Sequence, residues 1–421
     1  MPETRAWRWI PALYFAQGFP YAIVMTVSVV MYKTLGVSNT DIALYTSWLY
    51  LPWVVKPFWS PLVDLIGTKR AWILATQLLL GLALAAVALT LPLPRFFQAS
   101  LAILWLLAFA SATHDIAADG FYMLALPSDG QAAFVGVRSA FWRLANIVGQ
   151  GGLVYLGGAL AESTGSVAMA WSVVFLVAAA TMLLAAGWLR FTLPRPAIDV
   201  PVQHASIAAG FSATFISFFR KPRILTMLAF LMLFRFAEAQ ALKLVSPFLL
   251  DARAAGGLGL TTSQTGIAYG TVGVIALTMG GLLGGFVISR HGLRRWLWPM
   301  AIGMHLPNLL FVYLAFAQPE SFAVICAVLA FEQFGYGFGF CAFLLYMVMV
   351  SDGPNRTAHY AICTGFMALG MMIPGMASGW IQEQLGYANF FIWICVATIP
   401  SFAVVALVDV DPHFGRKAQD R

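Results

Sequence analysis

The sequence predicts an all-α integral membrane protein of about twelve transmembrane helices in two six-helix halves. Three observations predict it. Of 421 residues, 61% are hydrophobic and only 10% are charged, against roughly 25% in a soluble domain. Apolar runs of 20 or more residues recur along the chain, each long enough to cross about 30 Å of hydrocarbon. One longer polar stretch interrupts them near the middle. The runs are continuously apolar and rich in Leu, Ala and Val, so they read as helices; membrane strands would alternate in polarity.

The first span is expected near residues 10–32. It follows a short charged segment, is too long for a signal h-region and meets no small-residue cleavage site, so it reads as an uncleaved span. The next five fall near 42–66, 71–91, 98–126, 134–161 and 168–191. Aromatics crowd the second at Trp48, Tyr50, Trp53, Phe58 and Trp59, as an interfacial belt or as stacking surfaces for a sugar ring. A linker over 192–222 carries prolines, Asp199, His204 and basic residues. Six more spans follow near 223–250, 262–290, 295–317, 321–350, 359–385 and 388–409, so residues 1–191 and 223–421 form the two halves. Glycines gather in the fifth, eighth, tenth and eleventh spans, where small residues let helices approach closely.

The net charge of +7 does not point to nucleic acid, because the cations sit between the spans. With the N-terminus inside, 17 of 24 basic residues fall in inner segments, from Arg5 and Arg8 through Arg138 and Arg356 to Arg416, Lys417 and Arg421. Only Lys33, Arg95 and Arg253 fall in outer loops, which places both termini in the cytoplasm. Cys326, Cys341, Cys363 and Cys395 have neither metal nor disulfide spacing and read as core residues. No metal or other cofactor is expected.

Eight charged residues remain inside the spans: Asp115, Asp119, Glu238, Glu332, Lys56, Arg143, Arg235 and Lys243. Charges at membrane depth are costly and mark partners, substrate paths or proton relays. Asp115 and Asp119 are four apart, on one helix face. Depth counted at 1.5 Å per residue brings Lys56 and Arg143 near them. Glu238, Arg235 and Glu332 fall near mid-membrane in the second half. Arg235 and Glu238 are three apart, so mutual pairing competes with a functional role; Arg143 suits an anionic substrate. A carboxylate in a low-dielectric cavity is suited to proton loading, so substrate binding with proton coupling is the functional expectation. His114 is a weaker candidate for a relay, and His305 weaker still.

The turn after the second span reads Ser60-Pro-Leu-Val-Asp64-Leu-Ile-Gly67-Thr-Lys69-Arg70. The turn after the eighth reads Gly285-Phe-Val-Ile-Ser289-Arg290-His-Gly292-Leu-Arg294-Arg295. This twofold pattern resembles the inner-loop signature of the major facilitator superfamily, G-x-x-x-D-R-x-G-R-R. Ser60, Leu65 and Ser289 depart from it. The resemblance implies parallel repeats around a central cavity, with Asp64, Gly67, Lys69, Arg70, Arg290, Gly292, Arg294 and Arg295 in loops that steady an inner gate.

More stretches are similar to AmpG-type muropeptide permeases, a group that also includes acetyl-CoA transporters. Val55-Lys-Pro-Phe-Trp-Ser-Pro-Leu-Val-Asp64 looks like the family's K-x-x-W-S-P-x-x-D. Ser111-Ala-Thr-His-Asp115-Ile-Ala-Ala-Asp119 looks like its S-A-x-x-D-I-x-x-D. Arg143-Leu and Phe331-Glu332 match two further motifs. The resemblance implies proton-driven import of anhydromuropeptides across a bacterial inner membrane for cell-wall recycling. The residues carried over are Lys56, Asp64, Asp115, Asp119, Arg143 and Glu332. The implied partners are a muropeptide-like small molecule, protons and the bilayer, and a monomer is expected. Another solute on the same machine, such as a CoA ester, a siderophore-like compound or a drug, is the alternative. An integral membrane enzyme would need a nucleophile or a His/Asp set near one interface; the polar residues here are spread over both halves. A receptor without flux would leave the paired loops without a gating role.

Overall fold

The structure is a computed structural model that describes residues 6–126, 128–200, 215–352, 356–412 and 414–415. Arg5, His204, Arg416, Lys417 and Arg421 lie outside the described residues, as do the side chains of Asp64 and Arg356. Every regular element among the described residues is helical. In order, the longer ones are α1 (Ile10–Thr34), α2 (Asn39–Trp48), α3 (Leu51–Leu65), α4 (Lys69–Thr90), α5 (Phe96–Ala125), α6 (128–164) and α7 (Val167–Thr192). Then come α8 (Ile224–Leu233), α9 (Phe236–Leu250), α10 (Thr262–His291), α11 (Leu293–His305), α12 (Asn308–Ala317), α13 (Phe322–Val350), α14 (Arg356–Val396) and α15 (Ile399–Leu407).

Ten helices among the described residues are long and apolar enough to cross a membrane, with α8–α9, α11–α12 and α14–α15 each counted as one. The expected twelve differ at two places. The last of the ten runs 50 residues, 358–407, roughly 75 Å at 1.5 Å per residue and enough for two crossings. It turns at Gly386, whose φ of 71° breaks the helix. The expected second span is divided at Leu49 and Tyr50 into pieces of 10 and 15 residues, neither long enough alone.

The chain forms two compact units, one of residues 1–37 and 55–205 and one of 38–54 and 206–421. In the first, α4 packs on α5 and α7, and α1 packs on α6. Gly18 permits the second of these contacts, since a Cβ there would lie 2.8 Å from the Trp142 carbonyl oxygen. In the second unit α10 and α13 cross on reciprocal glycines. A Cβ at Gly280 would sit 2.0 Å from Phe334 O, and one at Gly337 2.0 Å from Leu277 O. This is the close approach that small residues permit where lipid supplies no hydrophobic drive.

Residues 38–54 pack within the second unit, although sequence position alone puts them in the first half. Their α2 lies on α14. Asn39 Nδ2 donates to Gln382 Oε1 at 2.6 Å and to Tyr387 OH at 2.9 Å. The Thr40 N–H and hydroxyl both donate to Glu383, at 3.0 and 2.6 Å.

The two basic turns are tight. Gly67 has φ 74°, and the Thr68 hydroxyl accepts Ala71 N–H at the start of α4. Asp199 accepts two more orphan N–H groups there, from Lys69 at 2.8 Å and Arg70 at 3.1 Å. Arg70 Nη2 donates to Arg190 O at 2.6 Å. In the second turn Gly292 has φ 85°, and Leu293 N–H donates to Phe414 O at 3.0 Å. Arg290 lies 4.5 Å over the Phe286 ring, and Arg294 and Arg295 are exposed.

Candidate functional site

In the first unit four helices bring charge together. Asp115 and Asp119 stand one turn apart on α5. Lys56 on α3 reaches Asp115, Nζ to Oδ2 at 2.5 Å. Gln17 on α1 donates to the other oxygen of Asp115. Arg138 on α6 meets Asp119, Nη2 to Oδ1 at 2.9 Å, and Tyr14 on α1 donates to the same oxygen at 3.2 Å. The Arg138 guanidinium also lies 4.5 Å over the Tyr14 ring and 5.1 Å over the Tyr122 ring. Tyr122 OH in turn donates to Gln131 O at 2.5 Å.

Side-chain exposure in these pairs is 20% for Lys56 and Asp115, 30% for Arg138 and 40% for Asp119. The pairs are therefore partly exposed rather than sealed in a core. Each carboxylate has a cation and a neutral donor, so its charge is compensated on the spot. The aliphatic part of Lys69 crosses Gly120, where a Cβ would meet its Cε at 2.7 Å. The basic turn at the start of α4 thus rests against the helix that carries both acids.

The second unit differs. Glu238 and Glu332 are almost fully buried, at 1% and 2% exposure. Glu238 Oε2 is buried with no hydrogen-bond partner. Glu332 Oε2 accepts from its neighbour Gln333 at 2.9 Å. The two carboxylates lie within electrostatic reach of each other, and Tyr269 faces both. Tyr269 sits in a π-helical segment, Gly266–Gly273, of α10; such segments recur at functional sites. Arg235 Nη2 donates to Tyr336 OH at 2.5 Å, with its guanidinium 4.7 Å over Phe340. Lys243 Nζ donates to Thr46 Oγ1 at 3.0 Å and lies 5.1 Å over the Tyr50 ring.

Several expected neighbours therefore change. Arg138, counted from sequence as an inner-segment cation, is the cation on Asp119. Arg143 lies five residues further along α6, roughly 7.5 Å at 1.5 Å per residue, and is half-buried. Arg235 turns to Tyr336 rather than to Glu238. It caps α9 with φ −108° and ψ 19°, non-helical values that redirect its side chain from the course a continuous helix would give it. His114 is buried against the Gln77 side chain at 3.1 Å, away from Asp115. His305 is buried between Phe234 and Phe402.

Tyr14, Gln17, Tyr269, Gln333 and Tyr336 were not singled out in the sequence. A signal existed for two of them. Tyr14 and Gln17 are polar residues three apart in an apolar span, a spacing that meets the Asp119/Asp115 step from an antiparallel helix.

The helices, the glycine crossings and the charges within the apolar spans fit a multi-pass membrane protein. The Major Facilitator Superfamily profile matches residues 12–348, and the chain belongs to that family. Among curated relatives it is similar to the anhydromuropeptide permease of Escherichia coli (strain K12), 27% identical over 93% of this chain and 77% of the relative. It is also similar to putative transporter AmpG 4 of Rickettsia conorii, 25% identical over 93% of this chain and 94% of the relative. The fold matches that of a D-xylose–proton symporter with a TM-score of 0.73, at 11% identity, over 97% of this chain and 98% of the other.

Proposed function

We propose that this chain is a proton-coupled secondary transporter that imports anhydromuropeptides, GlcNAc–anhydroMurNAc with a peptide stem, across a bacterial inner membrane for cell-wall recycling. The observation that carries the reading is the similarity to an anhydromuropeptide permease over 93% of the chain. Both termini lie in the cytoplasm in this reading, and residues 1–191 and 223–421 act as two six-helix halves joined by a linker over 192–222.

The residue chemistry fits. A muropeptide carries carboxylates, hydroxyls and amides, and it needs charged and hydrogen-bonding groups that are partly exposed. Lys56, Arg138, Asp115, Asp119 and Tyr14 supply them in the first unit, with Arg143 as a further anion-binding group. Glu238, Glu332 and Arg235 supply buried charge in the second. The basic turns around Asp64, Gly67, Lys69 and Arg70, and around Arg290, Gly292, Arg294 and Arg295, act as gate loops. Catalysis by the chain is not part of this reading, and it acts as a monomer.

Counterflow in proteoliposomes tests the cargo. Vesicles preloaded with unlabelled GlcNAc–anhydroMurNAc take up the labelled compound against an excess outside. Absence of that exchange, with exchange of a CoA ester or a drug instead, replaces the cargo.

A further inference from the structure

We infer that the coupled proton is carried by the Glu238–Glu332 pair of the second unit, while Asp115 and Asp119 of the first unit remain fixed charges. The inference rests on the reading of proton-coupled transport above and assigns within it which acids titrate. The two acidic pairs differ in their counter-ions. Asp115 has Lys56 at 2.5 Å and Asp119 has Arg138 at 2.9 Å, each with a neutral donor besides. A carboxylate held this way is stable as the anion. Glu238 and Glu332 take part in no ion pair among the described residues.

Every charged or titratable group near the second pair is accounted for. Arg235 precedes Glu238 by one turn and its charge reaches Glu238, but its guanidinium makes no ion pair there: it is bonded to Tyr336 and lies over Phe340. Lys243 is held by Thr46 and Tyr50. Tyr269 lies within electrostatic reach of both acids, with Tyr336 and Tyr50 near it in turn, and all three are phenols. Two anions at 1% and 2% exposure, neither in an ion pair among the described residues, are far costlier than one anion near a neutral acid. The same surroundings provide for the released state. Glu238 is the third residue of α9, at the positive end of the helix dipole, and Gln333 donates to Glu332. One O–H bond forms on the pair when water on one side delivers the proton. It breaks when water on the other side takes the proton away. No redox partner is involved.

The test reads the proton without any substrate. Infrared spectra of the full chain in lipid at pH 7 are compared in H2O and D2O. The wild-type protein shows the carbonyl stretch of a buried protonated carboxylic acid, shifted in D2O. Glu238→Gln and Glu332→Gln each remove or shift that band; Asp115→Asn and Asp119→Asn leave it in place. A band that survives unchanged in Glu238→Gln/Glu332→Gln, or that disappears in Asp115→Asn or Asp119→Asn, overturns the assignment. So does its absence from the wild type. Glu332→Asp, which keeps a carboxyl, retains a band and guards against loss through misfolding. Because no muropeptide is present, failure here is distinct from failure of the transport reading, which counterflow decides.

Discussion

Lys56 Nζ lies 2.5 Å from Asp115 Oδ2, and each side chain keeps 20% of its surface exposed. The pair joins α3 to α5 and leaves its charges partly exposed. Removing one partner of a buried ion pair costs about 3–5 kcal/mol because the other charge is stranded, and partial exposure lowers that cost. Asp115→Asn and Lys56→Met should each destabilise the purified protein by about 2 kcal/mol. The double variant should regain most of that loss in thermal unfolding and still fail to transport. A double variant as unstable as the sum of its parents would show that the two residues act independently.

Arg138 and Tyr14 converge on one oxygen of Asp119, at 2.9 and 3.2 Å. Tyr14→Phe removes one hydrogen bond to a charged group, about 1.5–3 kcal/mol where fully buried and less here. Arg138→Lys keeps the charge but loses the planar guanidinium over two aromatic rings. Substrate affinity in counterflow should fall several-fold in Tyr14→Phe and more in Arg138→Lys. Unchanged affinity in both would remove Asp119 from the binding surface.

Asp199 reaches from the linker to the first two N–H groups of α4. Loss of a helix N-cap costs about 0.5–2 kcal/mol. Asp199→Ala should destabilise the protein within that range and speed amide exchange at residues 69–71. Exchange unaltered there would show that Thr68 alone suffices.

Gly337 and Gly280 admit no side chain, since a Cβ at either would sit 2.0 Å from a backbone oxygen of the facing helix. Gly337→Ala should therefore lower stability by well over 1 kcal/mol, as overpacking does. Gly187→Ala, with nothing within 4 Å of the new Cβ, should leave the melting temperature unchanged. Equal melting temperatures for the two variants would contradict the close α10–α13 crossing.

Much of this fold is legible in the sequence because length and hydropathy alone set the spans. Helix α5 was expected at 98–126 and runs Phe96–Ala125; α13 was expected at 321–350 and runs Phe322–Val350. The breaks were less visible. Nothing in the apolar run around Arg235 announces that the helix stops there, yet the stop turns Arg235 from Glu238 to Tyr336. Pairing partners were harder still. Depth counting put Arg143 near the acids, but which α6 cation meets Asp119 depends on helix rotation and on the true start of α6. That helix begins at Ser128, before the expected 134, so Arg138, counted as an inner-segment cation near the edge of the span, sits well inside the helix. The family motif marked Lys56, Asp115 and Glu332, while the tyrosines and glutamines around them carry no motif of their own.

The most direct measurement is accumulation of labelled GlcNAc–anhydroMurNAc in proteoliposomes under an imposed inward proton gradient. Proton-coupled import predicts an internal concentration several-fold above the external one, collapsing to equality when a protonophore is added. Uptake that merely equilibrates, with or without the gradient, would contradict it.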